Sequence, residues 1–393
     1  MRRVTLEPRP DWREKADAVG FIWSHAEGEP YWDESVAYAF TLAEVEEQLE
    51  PAAAELHELC LDLVDEVVRE PALMDRLAIP PAHRDFIAAS WRNREPSLYG
   101  RFDFAFDGSG PPKLYEYNAD TPTSVFEAAV FQWLWLEDRV AAGVFPPGTD
   151  QFNSLHEALR DRFGVLFPSG GFVHFASDAG SVEDRQTVRY FEDLAAQAGL
   201  DPKYIAMGDI GLNVEGQYVD DDKSIVQAAF KLYPWEDMLR EPYAPHLADA
   251  GVRWLEPPWK AILSNKGILP LLWARHPGHP NLLPAVFDDE PGAAELTAYV
   301  RKPLFSREGA DIQVVAPGVD EPVLAGGYGA EGWIRQAFQP PPDFEGGRPV
   351  VGAWIVGNAP AGVGVREDAS IVTKNLARFV PHVILQDEAG QGT

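Results

Sequence analysis

The chain has 393 residues, 46% hydrophobic and 11% aromatic: enough apolar material for a sizeable core, and more than one ordinary domain of roughly 100–200 residues. Its net charge of −29 argues against general affinity for nucleic-acid phosphate or an anionic membrane; such a field attracts cations, a polyamine among them, the alternative being plain solvation of an acidic surface. The single cysteine, Cys60, excludes an intrachain disulfide and a Cys-based zinc site, and no apolar run nears the roughly 18 residues that span a bilayer, so the cytoplasm is the expected location.

Residues 1–40 are rich in Trp, Tyr and Pro and predict an irregular, packed lead-in. Thr41-x-x-Glu44 has the form of a capping box, and Leu56, Leu59, Leu63 and Val67 recur at helical spacing over 55–70, with Pro51 kinking or restarting that helix. Cys60 falls in the same apolar run and is expected as a buried small hydrophobe. Two segments alternating at period two, 98–106 and 113–118, flank a turn-rich Asp107-Gly108-Ser109-Gly110-Pro111-Pro112 and predict two short strands. A helix is expected over 122–140. An α/β stretch follows, with strands at 172–176, 203–207 and 225–233 and a helix at 183–198. Residues 265–273 read as helical and 296–303 as leading into a strand. A Gly-rich turn occupies 326–332, strands are expected at 333–338, 350–356 and 361–374, and the tail 388–393 is expected to fray.

The chemistry concentrates in four places. On a strand, Glu116 and Asn118 project from one face, and Asp103 on the preceding strand can reach it. Two carboxylates and an amide oxygen form a hard, all-oxygen donor set of the kind Mg²⁺ takes together with substrate phosphates; the alternative is a solvated polar strand edge. Lys266 and Lys302 could neutralise nucleotide phosphates, and the loop after Lys302, with Ser306, Arg307 and Gly309, could wrap phosphate through backbone N–H groups; a solvated lysine is the competing reading. Arg101 and Arg366 carry the fork geometry favoured at phosphate and carboxylate sites.

Arg101-x-Asp103, Glu116-x-Asn118-Ala119-Asp120-Thr121-Pro122-Thr123, Asn265-Lys266, Lys302-Pro303 and Gly364-Val365-Arg366-Glu367, in that order, resemble the synthetase domain of the glutathionylspermidine synthase family, and most closely its stand-alone members. The likeness runs from about residue 8 to residue 382. It implies an α/β (α+β) ATP-grasp fold, circularly permuted and glutathione-synthetase-like, because the Glu-x-Asn block precedes the lysines. The implied lobes are 1–169 for metal binding and the N-terminal core, 170–260 for an α/β substrate lobe, and 261–393 for the lid and a C-terminal sheet. The resemblance further implies Asp103, Glu116 and Asn118 as magnesium ligands, and Lys266, Lys302, Gln336, Ser306 and Gly309 at ATP, Gln336 lying at a nucleotide hinge. It places Arg101 and Arg366 in catalysis, Thr121 and Thr123 near a thiol-peptide substrate, and Glu183 and Asp184 near an acceptor amine. The cofactors implied are ATP and Mg²⁺, and the substrates a peptide-like acid such as glutathione and an amine such as spermidine.

The implied reaction makes an acyl phosphate from a carboxylate and ATP, then an amide from an amine, which depends on positioning and charge neutralisation rather than on a protein nucleophile. A cysteine-dependent amidase activity is not expected, since Cys60 lies in an apolar helix. A ligase using another acceptor and a non-ligating nucleotide- or polyamine-binding protein remain the alternatives. Two further patterns are set aside: Gly327-x-Gly329-x-x-Gly332 does not open a helix, and His276-x-x-His279 sits in a Pro-rich loop without carboxylate partners nearby.

Overall fold

A computed structural model describes residues 1–26, 29–374 and 377–385; the expected frayed tail at 388–393 lies outside them. The lead-in is more regular than its composition suggests. β1 (Arg2–Thr5) and a short helix, α1 (Trp12–Ala18), precede β2 (Val36–Phe40), which pairs antiparallel with β1. Trp32 and Phe21 pack there edge to face, so the aromatic side chains that obscure any period in the sequence are core.

Thr41 makes the expected capping box: its hydroxyl accepts from Glu44 N at 3.1 Å, and Glu44 Oε2 accepts from Thr41 N at 2.8 Å. The helix then widens into a π turn over Val45–Leu49 before α2 (Glu50–Val67), where Pro51 occupies the first turn. A regular α turn would press the Pro51 ring against the carbonyl of Glu47, and the wider turn immediately before it removes that clash. Leu56, Cys60, Leu63 and Val67 are all buried on the inner face. Two further helices, α3 (Pro71–Arg76) and α4 (Arg84–Arg92), complete this side.

The two alternating segments form β3 (Tyr99–Ala105) and β4 (Lys113–Asn118), paired antiparallel. β3 is buried on both faces. Phe102 and Phe104 enter the core, with Phe102 stacked on Tyr117 at 3.9 Å between ring centres, whereas Arg101 and Asp103 face a large cavity. The helix expected over 122–140 begins only at residue 125, because Ser124 adopts φ +67° and turns the chain before it can wind. It continues through a π turn into α5 (Gln132–Ala141), and α6 (Leu155–Leu166) follows.

A parallel sheet comes next: β5 (Gly171–Ser177), the crossover helix α7 (Val182–Gln197), β6 (Leu200–Ala206), β7 (Ala228–Leu232), the short helix α8 (Trp235–Met238) and β8 (Arg253–Leu255), in the order β8-β7-β5-β6. After α9 (Ile268–Arg275), β9 (Ala285–Phe287), β10 (Tyr299–Pro303), β11 (Gln313–Val315) and β12 (Trp333–Ala337) make an antiparallel sheet ordered β9-β12-β10-β11. β13 (Arg348–Val356), β14 (Ala359–Asp368) and β15 (Arg378–Val380) extend the β3–β4 pair into the five-stranded sheet β15-β14-β13-β3-β4, and β16 (His382–Ile384) joins β2 in parallel. The strand expected over 361–374 ends at Asp368. That carboxylate accepts from Ser370 N at 2.9 Å and Lys374 N at 3.1 Å and folds residues 369–374 into a turn.

Two buried ion pairs tie the parallel sheet to β3 and β4. Lys231 of β7 donates to Asp120 at 2.8 Å, both side chains fully buried, and the other Asp120 oxygen accepts from Trp235 N at 2.8 Å. Lys260, 3.3 Å from Glu256, donates to the carbonyls of Tyr99 and Ala119 at 2.8 and 3.0 Å, while Glu256 accepts from Tyr99 N at 3.0 Å. Removing one member strands a buried charge, so Lys231→Met is expected to lower stability by about 3–5 kcal/mol in urea unfolding, and adding Asp120→Asn to recover most of the loss. A Lys231→Met protein as stable as the wild type would show that this pair is no strut.

Candidate active site

The site begins with a register. Asp103 lies opposite Glu116 and Arg101 opposite Asn118, so four polar side chains of β3 and β4 meet on one face. A bulge follows: Phe104 pairs with Leu114, and Tyr115 is left without a partner on β3. Its carbonyl, free of the ladder, accepts from Lys302 Nζ at 3.0 Å. Lys302 also donates to Gln336 Oε1 at 2.8 Å, and Gln336 Nε2 donates to the Leu114 carbonyl at 2.9 Å. Gln336 is therefore a buried cross-link between β12 and β4.

Asp103 is the hub. Its Oδ1 accepts from Arg101 Nε at 2.7 Å; its Oδ2 accepts from Arg366 at 2.5 Å, Asn118 Nδ2 at 3.0 Å and Arg101 Nη2 at 3.2 Å. Gly352 lies opposite Asp103 on β13, and a Cβ there would meet Arg101 Cδ at 2.7 Å, so the glycine makes room for the arginine stem. Lys266 Nζ is 3.2 Å from Glu116 and 2.8 Å from the carbonyl of Ser306. Asn265, buried behind it, holds the Leu77 carbonyl at 2.7 Å. Burial pushes the Glu116 carboxyl up, but Lys266 and Lys302 outweigh that and hold it at about 2, whereas burial takes Lys302 down to about 8.

These groups line a cavity of about 570 Å³. Its lining also carries Asp120, Asp178, Glu183, Asp184, Glu236, Asp237 and Glu308, together with Arg307 and Lys374. Ser181 caps α7 by accepting from Asp184 N at 3.1 Å, which sets Glu183 and Asp184 at the mouth of the helix. Burial, reinforced by Glu127 and Asp184, raises the Glu183 carboxyl to about 8, and burial raises Asp184 to about 6. Arg307 bridges Thr121 Oγ1 and Glu236 Oε1, both at 2.8 Å. Thr123 gives its carbonyl to Arg101 at 2.6 Å and its hydroxyl to Glu183. Gly309, at φ +73°, sits where a Cβ would meet the Thr373 carbonyl at 2.9 Å, so the loop packs closely on residues 372–373.

The cavity thus gathers every residue the motifs singled out: Arg101, Asp103, Glu116, Asn118, Thr121, Thr123, Glu183, Asp184, Lys266, Lys302, Ser306, Gly309, Gln336 and Arg366. The Ser306 carbonyl accepts from Lys266 Nζ. Asp120 escaped the sequence reading: a period of two would put it beside Glu116 and Asn118, but β4 ends at Asn118 and Asp120 turns to Lys231. Arg307 and Glu236 were also missed as a pair, being 71 residues apart with no local pattern to join them. Gly327, Gly329 and Gly332 precede a strand. His279, expected to have no carboxylate partner nearby, sits 3.4 Å from Glu55. Asp220, Asp221 and Asp222 cluster at metal-ligand spacing but are all bonded to Lys203.

The two carboxylates and the amide fit a divalent metal by donor chemistry. All three side chains touch, the carboxylates are hard oxygen donors, and a half-turn of the Asn118 amide presents its oxygen in place of its NH₂. A glutathione synthetase-like effector of Globodera pallida in its apo form shares the fold, with TM-score 0.54 and 13% identity over 96% of this chain and 98% of that one. Fold and relatives together define the class, a C–N ligase with an ATP-grasp-like mixed α/β architecture.

The chain belongs to the family described as glutathionylspermidine synthase preATP-grasp, which matches residues 3–385. It is 40% identical, over 97% of its length and 99% of the relative's, to a Haemophilus influenzae protein named provisionally as an acid–amine ligase. It is 29% identical to the trypanothione synthetase of Crithidia fasciculata, over 81% of this chain and 52% of that one. It is 27% identical to the bifunctional glutathionylspermidine synthetase/amidase of Escherichia coli, over 95% of this chain and 64% of that one. The chain therefore spans about half to two thirds of those two longer relatives. No described helix is long and apolar enough to cross a membrane. Lys302→Ala is expected to weaken ATP binding by about 1.5–3 kcal/mol in calorimetric titration; unchanged affinity would remove Lys302 from the nucleotide site.

Proposed function

We propose that this cavity joins a carboxylic acid to an amine at the expense of ATP, with a glutathione-like peptide as the acid and a polyamine such as spermidine as the acceptor. The observation that carries the reading is how the cavity's charges are grouped: Arg101, Arg366, Lys266 and Lys302 gather around Asp103 and Glu116, and a second, mainly acidic group that includes Glu183, Asp184 and the Arg307-bound Glu236 lines the same cavity. The first group suits a triphosphate and the second a polycationic amine.

In the first step an acid carboxylate oxygen attacks the γ-phosphorus, the bond to the bridging oxygen breaks, and ADP departs with that electron pair. Arg101 and Arg366 are placed to steady the charge spreading over the transferred group, and Lys266 and Lys302 to bind phosphate oxygens. Mg²⁺, when bound by Asp103, Glu116 and Asn118, supplies charge neutralisation at the phosphates. Thr121 and Thr123, which line the cavity, orient the acid. In the second step the amine nitrogen attacks the acyl carbon, the carbon–oxygen bond to phosphate breaks, and the nitrogen gives up a proton. Glu183 and Asp184 hold the acceptor's remaining ammonium groups.

The test is ADP release that requires both an acid and an amine, followed by product mass after incubation with ATP, Mg²⁺ and a metabolite extract. Absence of any acid- and amine-dependent release across a broad panel would sink the proposal. Glu116→Ala or Asn118→Ala should abolish Mg²⁺-dependent turnover and leave the melting temperature close to wild type; an unchanged rate in either variant would show a misassigned ligand.

Glu183 also sets a pH dependence. Its carboxyl, raised to about 8 by burial and by Glu127 and Asp184, is largely protonated at neutral pH, and an ammonium ligand favours the charged form. Amine binding therefore expels that proton. Spermidine affinity should rise by up to about tenfold per pH unit from pH 6 towards 8 and level off above it. Calorimetry in two buffers of different ionisation enthalpy counts the proton; a flat profile with no proton release would contradict the role given to Glu183.

A further inference from the structure

Arg101, Arg366, Lys266 and Lys302 converge on Asp103 and Glu116, with the buried Glu127 a further carboxylate in reach of Arg101, so cationic side chains outnumber anionic ones where the phosphates would bind. We infer that Arg366 makes this part of the cavity selective for a divalent metal already chelated by a nucleotide over the bare ion. The inference rests on the ligase reading above and concerns how the metal arrives.

The bonding of the carboxylates is the first ground. Both Asp103 oxygens are occupied, by Arg101 at 2.7 and 3.2 Å, Arg366 at 2.5 Å and the Asn118 amide at 3.0 Å. One Glu116 oxygen faces Lys266 at 3.2 Å and the other Asn118 Nδ2 at 3.4 Å. A bare divalent ion therefore meets donor hydrogens and more cationic than anionic side chains, and no unengaged oxygen on Asp103 or Glu116 among the described residues. A nucleotide triphosphate carrying its metal still has about two net negative charges at neutral pH. It cancels the excess, and its phosphate oxygens offer an arginine a new partner.

The second ground is which arginine can leave. Arg101 is 7% exposed, donates also to the Thr123 carbonyl at 2.6 Å and lies over the Trp354 ring at 5.3 Å. Arg366 is 23% exposed, and among the described residues its one hydrogen-bond contact is with Asp103. Arg366 is therefore the residue that yields Asp103 to the metal and turns to phosphate, while Arg101 stays.

The test uses Mn²⁺ as the probe and electron paramagnetic resonance of free and bound ion as the readout, so no turnover is needed. Wild-type protein should bind little Mn²⁺ alone over the range in which it saturates with the non-hydrolysable analogue adenylyl imidodiphosphate. Arg366→Met should bind bare Mn²⁺ at least about tenfold more tightly than wild type. Adding Asp103→Asn should erase that gain, which locates the ion, and thermal melts confirm that the variants fold. Wild-type protein that binds bare Mn²⁺ as tightly as with nucleotide, or an Arg366→Met protein that gains nothing, overturns the inference while the ligase reading stands. Failure of the analogue itself to bind, with or without metal, overturns the ligase reading and this inference with it; the two failures differ in which ligand is lost.

Discussion

The register of β3 against β4 is the constraint on which the site depends. Side chains alternate across a strand, so a slip of one residue would send Glu116 and Asn118 into the core and bring Tyr117 into the cavity. The stack of Phe102 on Tyr117 holds the register from the apolar side, since both rings are buried only when Asp103 lies opposite Glu116. The bulge at Tyr115 extends the arrangement. By releasing one carbonyl from the ladder it gives Lys302 a fixed place, and through Lys302 and Gln336 it couples the C-terminal antiparallel sheet to the strand that carries Glu116.

Around that register the cavity groups charge. The cationic groups come from β3, from β10, from β14 and from the turn before α9, whereas the acidic groups come from the loop before α7, from α7, from α8 and from the loop after β10. Neither set is neutral in itself. Lys266 and Lys302 hold Glu116 ionised against its burial, and burial, reinforced by Glu127 and Asp184, drives Glu183 towards its protonated form. Such a distribution of charge favours ligands of both signs in one cavity, which suits the reaction proposed above. The loop after β10 touches both groups, through the Ser306 carbonyl to Lys266 and through Arg307 to Glu236, so a shift of that loop is felt at each.

The parts of the fold legible in the sequence are those with a local period. The helix now seen as α2, the pair β3 and β4, and the strand–helix alternation of the parallel sheet announce themselves by spacing. Where local chemistry competes with period, the reading fails. Ser124 in the left-handed region delays a helix, Asp368 folds a strand into a turn, and aromatic crowding hides β1, α1 and β2. Asp120 shows the same limit inside the site: its spacing matches the metal face, but a buried lysine from another strand claims it.

The sequence alone determined which residues could do the chemistry. An oxygen-donor pair at period two, two lysines and two arginines in a set order are chemical identities, and chemical identity is local. Their convergence is not local: Asp103 and Arg366 are 263 positions apart, and no spacing rule links them. Only the tertiary structure decided that these groups share one cavity, that Arg307 crosses to Glu236, and that Asp120 serves as a strut. The reason is that burial and strand pairing set which charges face each other, and in a partly desolvated space that choice fixes their protonation and their partners.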